Sequence, residues 1–186
     1  ELEKIKTQNN IDNFIIEENK RLKKIIDDYI EESDEIVAKV LIDKKSPFLR
    51  SIIINKGSKS NVMLGMAVLE GGYLIGKVVE VNYLTSRILL LSDLNSKIPV
   101  VIEPGGLQSI LSGTGKRNGN IQYLKENYNI EEDSIVYTSG SGGLFKSGIP
   151  IGKIKSTELN KKNVNFFSDF SQLKFVKVIS FKKEDD

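Results

Sequence analysis

Tyr137-Thr-Ser-Gly-Ser-Gly-Gly-Leu-Phe-Lys-Ser-Gly-Ile-Pro-Ile-Gly-Lys-Ile154 decides how the rest of the chain is read. Its glycines Gly140, Gly142, Gly143 and Gly148, with serines among them, suit three roles: a cradle for phosphate, a loop presenting a nucleophile, or a sharp turn between two strands. Each role makes a separate demand on the neighbouring residues.

A phosphate loop needs a second glycine before its Lys-Ser/Thr pair and a helix after it. Lys146-Ser147 supplies the pair, but Phe145 occupies the glycine position, and Ile149-Pro150-Ile151 opposes a helix because proline lacks the N–H and β-branched residues lose rotamer freedom there. The Ser141-Gly142-Gly143 tripeptide matches the one around the nucleophile of chymotrypsin-like proteases. That pattern has a glycine two residues before the serine, where Ser139 stands, and a histidine to take the proton. The chain contains no histidine, so Ser141 lacks the usual base. The structural turn is the favoured reading, with Gly140, Gly142, Gly143 and Gly148 supplying positive φ. No catalytic, cofactor-binding or metal-binding residue is assigned, and no cofactor is expected.

Composition bounds the rest. With 186 residues, 39% hydrophobic and 28% charged, the chain has ordinary globular composition. Cysteine is absent, which removes disulfides and thiolate metal sites and leaves the redox compartment open. The chain opens on Glu1, and no run of about 20 apolar residues appears, so a piece of a longer protein is expected. The first 35 positions hold 6 of the 27 basic and 11 of the 25 acidic residues, a net −5, and the remainder is +7. Lysines in that basic body are scattered among strands without interleaved aromatics, which argues against nucleic acid.

Residues 1–35 contain no glycine or proline and place Ile5, Ile15, Leu22, Ile26 and Tyr29 at heptad spacing. Asn19 falls at an a position, where a partner helix in register satisfies it; this favours a parallel dimer with Ile15, Asn19, Leu22, Ile26 and Tyr29 at the interface. The other reading is an amphipathic helix packed on its own domain. After Glu35 the pattern becomes β. Six β-branched runs lie between Ile36 and Ile102 and six between Leu107 and Ile179, with turn signals at Asn55-Lys-Gly57, Glu70-Gly-Gly72 and Glu103-Pro-Gly-Gly106. Two small barrels or one sandwich fit this spacing; barrels are preferred because they remove exposed edges. The expected organisation is a helix over 1–35, barrels over 36–103 and 104–182 with strands able to cross between them, and a charged tail over 183–186.

The stretch Asp133–Ile154 resembles the GD-x-V-x-TSG-x-GG-x-FP-x-G-x-x-VG-x-V pattern of the MreC rod shape-determining family. Ile52-Ile-Ile-Asn-Lys-Gly57, Val62-Met-Leu-Gly65-Met-Ala-Val68, Leu74-Ile-Gly76-Lys-Val78, Leu90-Leu91-Ser92-Asp93 and Glu18-Asn19-x-x-Leu22 resemble further family motifs in the same order. Glu132, Asn61 and Lys146 depart from it. The resemblance implies a mainly β fold, an N-terminal coiled-coil helix followed by two six-stranded barrels of chymotrypsin-like architecture without catalytic residues. It also implies a non-enzymatic scaffold of the cell-wall elongation machinery, a homodimer capable of further self-assembly. The implied partners are MreB, MreD, penicillin-binding transpeptidases and their glycosyltransferase. The implied location is the extracytoplasmic face of the inner membrane, anchored by a helix preceding Glu1. A periplasmic adaptor of an efflux or secretion system is the alternative; adaptors carry two antiparallel helices within the chain, whereas here one helix stands at the start.

Overall fold

The computed structural model describes residues 11–21, 35–41, 50–123, 130–143, 145–156 and 162–180. They fall into two units, residues 11–21 and the body from 35 to 180. In the first, residues 11–21 are α-helical, and exposed Lys20–Glu17 and Arg21–Glu18 pairs at 2.8 and 3.0 Å line one surface. Exposed i,i+3 pairs of this kind each add only a few tenths of a kcal/mol, so they favour the helix without specifying it.

The described residues of the body form twelve strands: β1 (Glu35–Leu41), β2 (Ser51–Ile54), β3 (Ala67–Glu70), β4 (Tyr73–Val81), β5 (Ser86–Leu90), β6 (Lys97–Glu103), β7 (Leu107–Gly113), β8 (Asn118–Gln122), β9 (Ile135–Thr138), β10 (Pro150–Ser156), β11 (Lys162–Phe166) and β12 (Phe175–Ile179). They close two six-stranded barrels, in the order β1-β12-β3-β4-β5-β2 and β10-β11-β8-β7-β6-β9. Every pairing is antiparallel. Strand alternation builds both interiors. In β6, Ile98, Val100 and Ile102 point inward between residues that are half-buried or exposed. The first barrel encloses Ile52, Ile54, Val68, Ile75, Val78, Ile88, Val176 and Val178. The second encloses Leu111, Ile121, Val136, Ile151, Ile154 and Val164 beside the β6 residues. Each such side chain contributes about 1.5–3 kcal/mol on leaving water, set against the entropy of ordering it.

The two barrels do not follow the sequence division at Glu103-Pro104-Gly105. That tripeptide is the turn between β6 and β7, inside the second barrel, where Glu103 Oε2 accepts the N–H groups of Gly105 and Gly106 at 3.0 and 3.1 Å. The sixth strand belongs to the second barrel and the twelfth to the first. Residues 91–96 connect β5 to β6, and they contain neither glycine nor proline. Turn residues mark where a strand stops, not which sheet it joins, and so a boundary drawn on them lands on a hairpin.

A buried carboxylate fixes this connection. Asp93 accepts the backbone N–H of Arg50 at 2.7 Å and that of Asn95 at 2.8 Å, while its own carbonyl takes the Ser96 N–H. The Asn95 side chain donates to the same carboxylate. Gly113, at the end of β7, lies so close that a Cβ there would sit 1.9 Å from the Asp93 carbonyl. On another side of the body, the Tyr73 and Phe167 rings meet at 4.9 Å.

Candidate functional site: the glycine loop

The loop runs from the end of β9 to the start of β10 and is organised by Thr138, the last residue of β9, whose side chain is fully buried. Its N–H donates to Ile149 O and its carbonyl accepts Gly148 N–H, both at 2.9 Å, so the two arms of the loop are bonded directly. Its hydroxyl then bonds the returning arm twice: Oγ1 accepts the Ile149 N–H at 2.9 Å and donates to Lys146 O. One short polar side chain thus satisfies backbone groups that a tight turn would otherwise bury unpaired. Ser139 N–H reaches Pro99 O at 3.1 Å and fastens the loop to β6.

Gly140, Gly142, Gly143 and Gly148 have φ of 74°, 77°, 66° and 85°. At Gly140 the space is also restricted, because a Cβ would approach Ser147 Cβ at 3.1 Å; around Gly142 nothing lies within 4 Å. A side chain at Gly140 therefore meets both backbone strain and crowding, one at Gly142 strain alone. Across Ser141–Gly143 the chain makes a tight turn whose backbone at Gly142 is left-handed (φ 77°, ψ 5°), with Gly143 N–H bonded to Gly140 O at 3.3 Å. Leucine 144 lies outside the described residues, and Phe145 is buried. Ser141 is exposed; its N–H is held by Ser139 Oγ at 3.2 Å, and among the described residues no side chain hydrogen-bonds its Oγ. Among the described residues no base is bonded to this hydroxyl, and the segment that follows is strand β10 instead of the helix a phosphate loop requires.

At the other end of β9 from the loop, where its start lies against the end of β6, Glu103, Pro104, Glu131, Glu132, Asp133, Ile135 and Tyr137 line a shallow open groove. Asp133 pairs with Lys155 at 3.0 Å, and Glu132 lies 3.9 Å from the same ammonium. The Lys155 hydrogen bond and charge hold the Asp133 carboxyl below its ordinary value and raise Lys155 in return. Among the described residues no cluster of three or more acidic, histidine or cysteine side chains is placed to hold a metal ion.

Of the residues expected at a dimer seam, Ile15 and Asn19 are exposed on the helix. Leu22, Ile26 and Tyr29 lie outside the described residues, as does the 183–186 tail. Reading the sequence left Thr138 and Asp93 without roles. Both sit in the quoted motifs, but a threonine ending a strand and an aspartate after a leucine run read as ordinary turn residues until their backbone partners are known.

Together these features define a double-barrel β protein whose glycine loop is a backbone turn stapled by a buried threonine. The family described as "Rod shape-determining protein MreC, barrel core" matches residues 40–180. The chain belongs to this MreC family. The cell shape-determining protein MreC of Cereibacter sphaeroides is 31% identical over 140 residues, covering 75% of this chain and 47% of that protein. The chain thus spans about half the length of the curated relatives it matches. The crystal structure of MreC from Pseudomonas aeruginosa superposes with a TM-score of 0.73 at 28% identity, covering 79% of this chain and 99% of that one. A complex between penicillin-binding protein PBP2 and MreC from Helicobacter pylori contains a chain of the same fold, at TM-score 0.66 and 18% identity, covering 81% and 99%.

Proposed function

We propose that this chain is a non-enzymatic scaffold of the cell-wall elongation machinery, which helps form and maintain rod shape by presenting its two barrels to a penicillin-binding transpeptidase. The observation that carries the reading is the family match across residues 40–180, which takes in both barrels and the connection between them. The Helicobacter pylori MreC chain, of the same fold, is seen in complex with PBP2, which supports a transpeptidase as partner. The chain acts as a homodimer joined through Ile15, Asn19, Leu22, Ile26 and Tyr29. In the single chain Ile11, Phe14, Ile15 and Ile16 are each about half exposed or more, the apolar surface an unpaired helix offers to a second one. Further self-assembly and contacts with MreB and MreD belong to the same reading, with the barrels on the extracytoplasmic side of the inner membrane.

In this account the barrels act by holding surfaces at a fixed spacing, and no chemical step is required of them. The test is binding of residues 1–186 to the transpeptidase ectodomain of the source organism, followed by interferometry. Saturable association in the micromolar range is expected. No association at any attainable concentration, together with a normal rod shape after deletion of the gene, would overturn the proposal.

A further inference from the structure

At one end of the first barrel, the β2–β3 connection meets the β4–β5 turn. Ser58 N–H donates to Asn82 O at 2.9 Å and Lys59 N–H to Tyr83 O at 3.1 Å. A Cβ at Gly57 would fall 2.1 Å from Asn82 O, so the two backbones are in direct contact. Farther along the same connection, Met63–Met66 form a turn closed by Met66 N–H to Met63 O and tied to β4 by Gly65 N–H to Val78 O. From this end project Met63, Leu64, Tyr83 and Leu84, which are 55%, 67%, 66% and 58% exposed. Large apolar side chains so open to water on adjoining turns are unusual, since scattered single exposures are the ordinary case.

The surrounding charge is positive. Lys56 and Lys59 lie in the same connection, and among the described residues neither makes an ion pair. The Lys59 ammonium stands 5.9 Å above the Tyr83 ring. Glu80, the one carboxylate of β4, is already paired with Arg87 at 3.0 Å. The chain beyond residue 35 carries a net +7. We propose that this tip docks on an anionic lipid surface, with Met63, Leu64, Tyr83 and Leu84 entering the headgroup–acyl boundary and Lys56 and Lys59 meeting phosphate. A rigid protein partner would need a separate pocket for each projecting side chain, whereas lipid closes around them without one. Leucine with tyrosine and lysine is also the combination that partitions to such a boundary.

The protein has no tryptophan, so Leu84→Trp reports on the tip alone. With vesicles of phosphatidylcholine and phosphatidylglycerol its emission is expected to shift blue and to be quenched by brominated lipid, while Tyr123→Trp, at an exposed position after β8 in the second barrel, does not shift. Leu64→Ser with Leu84→Ser in the otherwise unchanged protein should lower the partition coefficient by a factor on the order of ten per leucine, at an unchanged thermal midpoint. Vesicles of phosphatidylcholine alone should bind weakly. Any of four results would overturn the proposal: no shift at residue 84, equal shifts at 84 and 123, serine variants that bind like the parent protein, or a blue shift without lipid that grows with protein concentration. The last would assign the tip to a second copy of the chain.

Discussion

Thr138 shows how much of this fold rests on single polar groups. From the end of β9 its buried hydroxyl bonds two backbone groups of the returning arm of the glycine loop. Valine has nearly the same shape but no hydroxyl, and it leaves the Ile149 N–H and Lys146 carbonyl without that partner. Thr138→Val is expected to cost about 1–3 kcal/mol in urea unfolding, and Thr138→Ser, which keeps both bonds, clearly less. Equal losses in the two variants would show that the methyl, not the hydroxyl, matters. Gly140→Ala is expected to destabilise more than Gly142→Ala, by about 1 kcal/mol or more, because only Gly140 adds the Ser147 contact to positive φ. Glycines were legible in the sequence as turn formers, since few other residues occur four times in nine positions for any other reason. Their ranking was not, because it depends on Ser147, which the loop's path brings alongside.

Among the elements, strands were legible and their partners were not. Each apolar run between Ile36 and Ile179 became one strand, because β-branched side chains at alternate positions suit a surface half-buried on one side. The helix is a different case. Its heptads place Asn19 and the flanking apolar residues on one stripe, but a stripe specifies a seam only if a second helix meets it. If the proposed dimer forms through this seam, Leu22→Glu with Ile26→Glu is expected to leave a monomer at micromolar concentration where the parent protein sediments as a dimer, measured by sedimentation velocity, with the β-strand circular dichroism unchanged. A sedimentation coefficient identical to that of the parent protein would remove the dimer from the reading.

At the scale of the whole molecule, the two barrels are interlocked. β12 pairs with β1 and β3 to close the first barrel, in a register running from Glu35↔Ile179 to Lys39↔Phe175 and on to Lys177↔Leu69. A fragment of residues 36–103 therefore has β6 without its partners and lacks the strand that seals β1 to β3, leaving open edges that invite aggregation. It is expected to show no cooperative thermal transition by circular dichroism, whereas the full chain does; a sharp transition from the fragment would contradict the shared closure. Alternation, turn residues and the heptad stripe are local properties, and from them the sequence alone determined twelve strands, a leading helix and a glycine loop without a base. Which strands share a barrel is a matter of closure between residues from opposite ends of the body. Only the tertiary structure decided that β6 and β12 change places, and that Asp93 pins Arg50 to the 91–96 connection. No local pattern encodes these choices, because a strand's inward face looks the same whichever barrel it lines.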